Sequence, residues 1–121
     1  MKILIADDSA FMRTILKDIV SKSNWSQAEI IEAVDGKDAI EKFKTEAPDL
    51  VLLDVIMPEQ DGIGVLKEIG RSAKSVVIVS SVDQTEVIDE AKNLGAKDYI
   101  MKPFDAAQVK KVLDELFPKG A

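Results

Sequence analysis

The sequence has no cysteine and no histidine. Without cysteine there is no disulfide, no thiolate metal site and no Cys nucleophile. Without histidine every Ser-His-Asp or Cys-His scheme is excluded, together with the common zinc sites. Long apolar runs are missing too: no stretch approaches the ~20 residues of a membrane span. The opening run Ile3-Leu4-Ile5-Ala6 meets Asp7-Asp8 before it can form the core of a signal peptide, so the chain reads as cytoplasmic. Positive charge is in the minority, 16 Lys+Arg against 22 Asp+Glu for a net charge of -6. That balance argues against a free-standing nucleic-acid binder and against an anionic membrane surface as partner. What chemistry there is must run on carboxylates, hydroxyls, lysine and a hard metal.

What is present is the material of one soluble globular domain. The 121 residues are 46% hydrophobic and 31% charged, too few for two independent cores, so residues 1–121 are read as a single domain. Nothing in them resembles a linker, an internal repeat or a low-complexity tract. Short apolar runs alternate with helix-period segments from end to end. The runs are Ile3–Ala6, Glu29–Ala33, Leu50–Leu53, Val76–Val79 and Tyr99–Met101. Three are nearly continuous Val/Ile/Leu, as strands covered on both faces require. The Ile30-Ile31 run, flanked by Glu29 and Glu32, suits an edge.

Between the runs lie amphipathic stripes. Phe11, Ile15 and Ile19, with Met12 and Leu16, follow a candidate N-cap, Ser9. Ala39, Ile40 and Phe43 are closed by Pro48, and Ile63, Leu66 and Ile69 end near Gly70. Val87, Ile88, Ala91 and Leu94 stop at Gly95, where a left-handed residue commonly ends a helix. Val109, Val112, Leu113 and Leu116 open after Asp105 and close at Pro118. Five strands alternating with five helices predict an α/β fold, a doubly wound five-stranded parallel sheet with helices on both faces.

The polar residues fall where the strands stop. The first ends in Asp7-Asp8, the third in Asp54, the fourth in Ser80-Ser81 and the fifth in Lys102-Pro103. All strands of a parallel sheet point one way, so these residues share one edge, where such folds bind ligands. A strand order 2-1-3-4-5, borrowed from known folds of this type, brings Asp7, Asp8 and Asp54 together. Three carboxylates in one pocket need a countercharge, and an oxygen-only ligand set favours Mg²⁺ beside a phosphate. Lys102 adds a cation for a phosphate oxygen and Ser80 a neutral donor. Together they suit an acyl phosphate on a carboxylate. Singly, each feature is more often a turn or a helix cap; four strand ends with complementary chemistry are not explained that way.

These residues resemble the receiver domain of two-component response regulators over the whole chain, and the fold implied is flavodoxin-like. Asp7-Asp8-Ser9 resembles the family's acidic pair. Asp54-Val55-Ile56-Met57-Pro58-Glu59-Gln60-Asp61-Gly62 is similar to its D-x-x-M-P-x-x-D-G, and Gly95-Ala96, Tyr99 and Lys102-Pro103-Phe104 to its C-terminal signature. The run Asp8–Arg13 resembles the chemotaxis branch, both its single-domain members and its methylesterase receivers. The resemblance implies that Asp54 accepts a phosphoryl group from the histidine of a sensor kinase. It implies Mg²⁺ on Asp8, Asp54 and the Ile56 carbonyl, with Asp7 acting largely through water. Lys102 would pair with the phosphate, Ser80 would move to a phosphate oxygen, and Tyr99 would turn into the released space. The Lys102-Pro103 bond would be cis.

The implied output is a protein contact on the fourth helix, fifth strand and fifth helix, with Glu86, Asp89, Glu90, Lys97, Tyr99 and Lys110 as candidates. The implied partners are a chemotaxis-type kinase, a phosphatase and the flagellar switch, with the chain a monomer. Nothing but Phe117–Ala121 follows the fifth helix, so no output domain is expected. Two positions depart from the family pattern: Ile56 and Val82 stand where many relatives carry polar or charged residues. Neither can orient an attacking water, so a long-lived phosphoryl group is expected. Other readings are the receiver of a phosphorelay or of a larger regulator, an aspartate-nucleophile phosphohydrolase, and a flavodoxin-like FMN carrier. The hydrolase pattern wants its acids one residue apart on the first strand. The FMN carrier wants a hydroxyl- and glycine-rich phosphate loop where Asp7-Asp8 stands.

Overall fold

The computed structural model describes residues 1–58 and 60–117, so Glu59 and Pro118, with the tail after it, lie outside the described residues. The strands are β1 (Lys2–Ala6), β2 (Glu29–Ala33), β3 (Leu50–Leu53), β4 (Val76–Ser80) and β5 (Ala96–Met101). The helices are α1 (Ala10–Ser21), α2 (Gly36–Glu46), α3 (Gly62–Ile69), α4 (Thr85–Asn93) and α5 (Ala106–Leu116). All pairings are parallel, in the order β2-β1-β3-β4-β5. Among the described residues no helix is long and apolar enough to cross a membrane.

Alternation along the strands builds two cores. Leu4, Ala6, Val51, Leu53, Val76 and Ile78 face α2, α3 and α4, where Ala39, Val65, Leu66, Ile69 and Ala91 complete one cluster. Ile3, Ile5, Leu50, Leu52, Val77 and Val79 face α1 and α5, joined by Leu16, Ile19, Val20, Val109 and Leu113. A strand buried on both faces has no polar side, which is why β1, β3 and β4 read as unbroken aliphatic runs.

Local signals set the helix ends. Ser9, Asp35, Asp61 and Asp105 each cap a helix through a side-chain oxygen, and Asp105 with Gln108 forms a reciprocal capping box. Gly95 follows α4 at φ 116°, a backbone geometry that a side chain disfavours.

Two expectations need correction. Phe11 does not join the buried stripe of α1; it is 74% exposed, and Leu16, Ile19 and Val20 carry the packing. It sits in the first turn, level with the carboxyl edge where β1 has ended. β5 begins at Ala96 rather than Tyr99: Ala96 is buried in the first cluster, Ile100 in the second, and exposed Lys97 with half-buried Asp98 interrupts the apolar run between them. The structure also adds a core residue that belongs to no stripe. Trp25, in the loop after α1, is fully buried against the second cluster and meets Phe117 edge-on at 6.4 Å.

Candidate functional site

Each acidic residue is placed by the backbone just beyond a strand. The Asp7 N–H donates to the Ala33 carbonyl (3.1 Å) and the Asp54 N–H to the Ala6 carbonyl (3.0 Å), which extends the sheet's pairing by one residue. Asp7 and Asp54 are buried, Asp8 exposed. One oxygen from each of the three lies within 4.8 Å of the others. The free ends of the two buried carboxylates are shaped locally. Asp7 Oδ1 accepts from the Ser9 N–H at 2.9 Å, and Asp54 Oδ1 from the Ile56 N–H at 3.2 Å.

Lys102 closes the cluster. Its ammonium lies 2.9 Å from Asp7 Oδ2 and 3.0 Å from Asp54 Oδ2. Its main-chain N–H donates to the Ser80 carbonyl (2.9 Å), so the end of β4 holds it in place. Burial alone would push the ammonium pKa down, but the hydrogen bonds and charges of Asp7 and Asp54 outweigh that and hold it above the ordinary lysine value. The Lys102-Pro103 peptide is cis, as the family resemblance implies. Three carboxylates against one ammonium leave negative charge in excess, and the donors are all oxygen. That set fits a hard divalent cation.

Ser80 is fully buried, and its hydroxyl accepts from the Val82 N–H at 3.3 Å. The Tyr99 hydroxyl donates to the Val82 carbonyl at 2.6 Å. Ser80 and Tyr99 therefore grip the two sides of one residue in the loop after β4. The Tyr99 phenol is pushed up first by burial, against the influence of the nearby Ser80 hydroxyl, and further by the charges of Asp54 and Asp83. Ile56 is 59% exposed beside Asp54, and Val82 is half-buried against the first core cluster.

Gly62 lets the start of α3 close on the backbone just after β3. Its N–H donates to the Val55 carbonyl (2.7 Å), and a Cβ there would stand 2.2 Å from the Asp54 carbonyl oxygen. Backbone contacts of this kind leave no trace in hydrophobic spacing, so only the motif hinted at it. Gly62→Ala is expected to cost about 2–3 kcal/mol through overpacking; an unchanged urea midpoint would contradict the close approach.

Comparison with known proteins agrees with this geometry. The family described as response regulator receiver domain matches residues 3–114. The chain is 42% identical to the chemotaxis protein CheY of Thermotoga maritima over 118 residues, 95% of this chain and 96% of that one. It is 41% identical to the CheY of Bacillus subtilis over 116 residues, 94% of this chain and 95% of that one. It superposes with a TM-score of 0.87 and 32% identity on a chain of the CheX-CheY-BeF3-Mg complex of Borrelia burgdorferi, covering 97% of this chain and 89% of that one. A family match across nearly all of the chain, on a sheet whose strand ends converge as described, leads to one assignment: this chain belongs to the response regulator receiver domains of two-component systems, signalling domains rather than catalytic ones.

Proposed function

We propose that residues 1–121 act as one receiver domain in which Asp54 is the phosphoacceptor, with Asp7, Asp8, Lys102 and Ser80 as its working partners. The observation that carries this reading is the trio of carboxylates bridged by Lys102 at the shared strand edge. A carboxylate oxygen of Asp54 attacks the phosphorus of a phosphohistidine on a sensor kinase. The P–N bond breaks, the imidazole leaves with its electron pair and takes up a proton, and an acyl phosphate remains. Lys102 shifts its charge to the phosphoryl oxygens, and the Ser80 hydroxyl donates to another of them. Mg²⁺ supplies charge neutralisation when bound, with Asp8, Asp54 and the Ile56 carbonyl as ligands and Asp7 acting through water. A relative solved with BeF3 and Mg supports that choice of ion.

A phosphoryl group of about -1.5 to -2 replaces the single negative charge of the Asp54 carboxylate, and its added charge and acceptor oxygens are what the loop after β4 would respond to. Drawing the Ser80 hydroxyl toward the phosphate removes its bond to Val82, whose other side Tyr99 holds. The output would pass to α4, β5 and α5. A groove of about 380 Å³ there is lined by Asp98, Tyr99, Met101, Gln108, Lys111 and Glu115. Glu86, Glu90 and Lys97 are exposed nearby, and Asp89 lies on the same helix, while Lys110 is half-buried. The CheY relatives support a role in chemotaxis; the family resemblance implies the rest of that setting, a cytoplasmic monomer with a histidine kinase upstream, the flagellar switch downstream and a phosphatase acting on it. A relative solved with CheX supports a further protein partner.

Intact mass after incubation with acetyl phosphate tests the reading. One phosphoryl adduct is expected on the wild type with Mg²⁺, none without it, and none on Asp54→Asn. Catalytic turnover of a small phosphomonoester instead would favour the phosphohydrolase reading.

A further inference from the structure

The carboxylates at the end of β1 ride on the turn Asp7-Asp8-Ser9, beyond the last residue paired within the strand. Three local contacts tether this turn: the Asp7 N–H on Ala33, the Ser9 N–H on Asp7 Oδ1, and Ser9 capping α1. The carbonyl between Asp7 and Asp8 is held differently. Arg13, one turn into α1, donates to it from Nη1 at 2.7 Å. The same guanidinium donates from Nε to Glu32 Oε1 at 2.9 Å. The Arg13 side chain is only 12% exposed, so water competes little at the guanidinium, while the Glu32 end of the pair is 35% exposed.

Glu32 is a firm anchor. Its second oxygen is held by Lys17 at 2.9 Å, and its main-chain carbonyl receives the Lys42 ammonium from α2. The Lys17 hydrogen bond, against a desolvation cost and with help from Arg13, keeps its carboxyl below the usual glutamate range. A planar guanidinium with two spaced N–H groups can span a carbonyl and a carboxylate at once, which a single ammonium does less well.

We infer that Arg13 is a positioning residue for the cation site: anchored on Glu32, it fixes the Asp7–Asp8 peptide and hence the direction in which the Asp8 carboxylate leaves the chain. The inference rests on the reading that the acidic cluster takes Mg²⁺. It makes a prediction opposite in sign to simple electrostatics. Arg13 is a positive charge beside three carboxylates, so by Coulomb's law its removal should tighten cation binding. Loss of positioning should weaken it.

The test is Mg²⁺ titration calorimetry on the full chain near neutral pH, with circular dichroism to show that each variant is folded. Arg13→Gln is expected to raise the Mg²⁺ Kd about tenfold, the scale of losing an outer-sphere support. Glu32→Gln should raise it less, and the double variant should match Arg13→Gln, because Glu32 acts through Arg13. Arg13→Lys keeps the charge but loses the two-point span, and should fall near Arg13→Gln. In acetyl phosphate labelling, the Mg²⁺ concentration for half-maximal rate should rise while the rate at saturating Mg²⁺ stays close to wild type. Folded Arg13 variants with unchanged or tighter Mg²⁺ binding would overturn the inference. Absence of Mg²⁺ binding by the wild type would overturn the metal reading itself and the inference with it.

Discussion

Lys102→Ala is expected to lower stability by about 3 kcal/mol without divalent cation, the scale of removing one partner from a buried ion pair. Asp7 and Asp54 are both buried and both reach the same ammonium. With it gone they face each other and Asp8 with no countercharge. Added Mg²⁺ should restore part of the loss by binding the folded state, and more so in the variant than in the wild type. Because the folded-state Lys102 pKa is raised, its contribution is complete below the ordinary lysine pKa of about 10.4 and lost as pH climbs through the folded value. The stability gap between wild type and variant should therefore hold from neutrality upward and close only in strong alkali. Labelling by acetyl phosphate should slow about 100-fold, as for other lost charge-stabilising donors. Urea denaturation with and without Mg²⁺ reads the first effect; equal midpoints for both proteins in the absence of Mg²⁺ would contradict the bridge.

The second large effect concerns the lifetime of the phosphoryl group. Hydrolysis of an acyl phosphate needs a water in line with the phosphorus, and neither Ile56 nor Val82 offers that water a hydrogen bond. Ile56 is exposed beside Asp54, and Val82 is the residue gripped by Ser80 and Tyr99. The Ile56 N–H meets Asp54 Oδ1, and Val82 is hydrogen-bonded to Ser80, the residue proposed to meet the phosphate. Ile56→Asn with Val82→Glu should shorten the lifetime about tenfold, toward the low end of what a positioned polar group contributes. The Asn is tolerated because Ile56 packs into no core; the Glu costs some stability because Val82 contacts the first cluster. Decay of the adduct by intact mass after removal of acetyl phosphate measures it, and an unchanged lifetime would sink the explanation.

The architecture is legible because physics writes it into spacing. Strands covered on both faces must be aliphatic throughout, so β1, β3 and β4 stand out, and helix caps at Ser9 and Asp105 announce themselves by residue type. The strand order is not legible in the residues; it comes from known folds. β5 reads short because its residues Lys97 and Asp98 break the apolar run that marks the inner strands. Phe11 misleads because a helical stripe says which face a residue lies on, not whether anything lies beneath it. Trp25 belongs to no stripe, so its burial has no signal.

The site divides in the same way. Asp7, Asp54, Ser80 and Lys102 can be found because each closes a recognisable strand and the strands share an edge. Arg13 and Gly62 act through main-chain atoms, a carbonyl bond in one case and a close approach in the other. Both fall inside family motifs, but hydrophobic spacing gives no sign of either contact, and the coordinates supply what each residue touches.

The most direct test of the central claim is to locate the phosphoryl group. The chain is incubated with acetyl phosphate and Mg²⁺ and reduced with borohydride, which converts an aspartyl phosphate to homoserine, and the peptides are then sequenced by tandem mass spectrometry. The expected result is homoserine at position 54, with Asp7 and Asp8 unmodified. Homoserine at position 7 or 8, or at neither of these nor at 54 despite a Mg²⁺-dependent adduct, would contradict it.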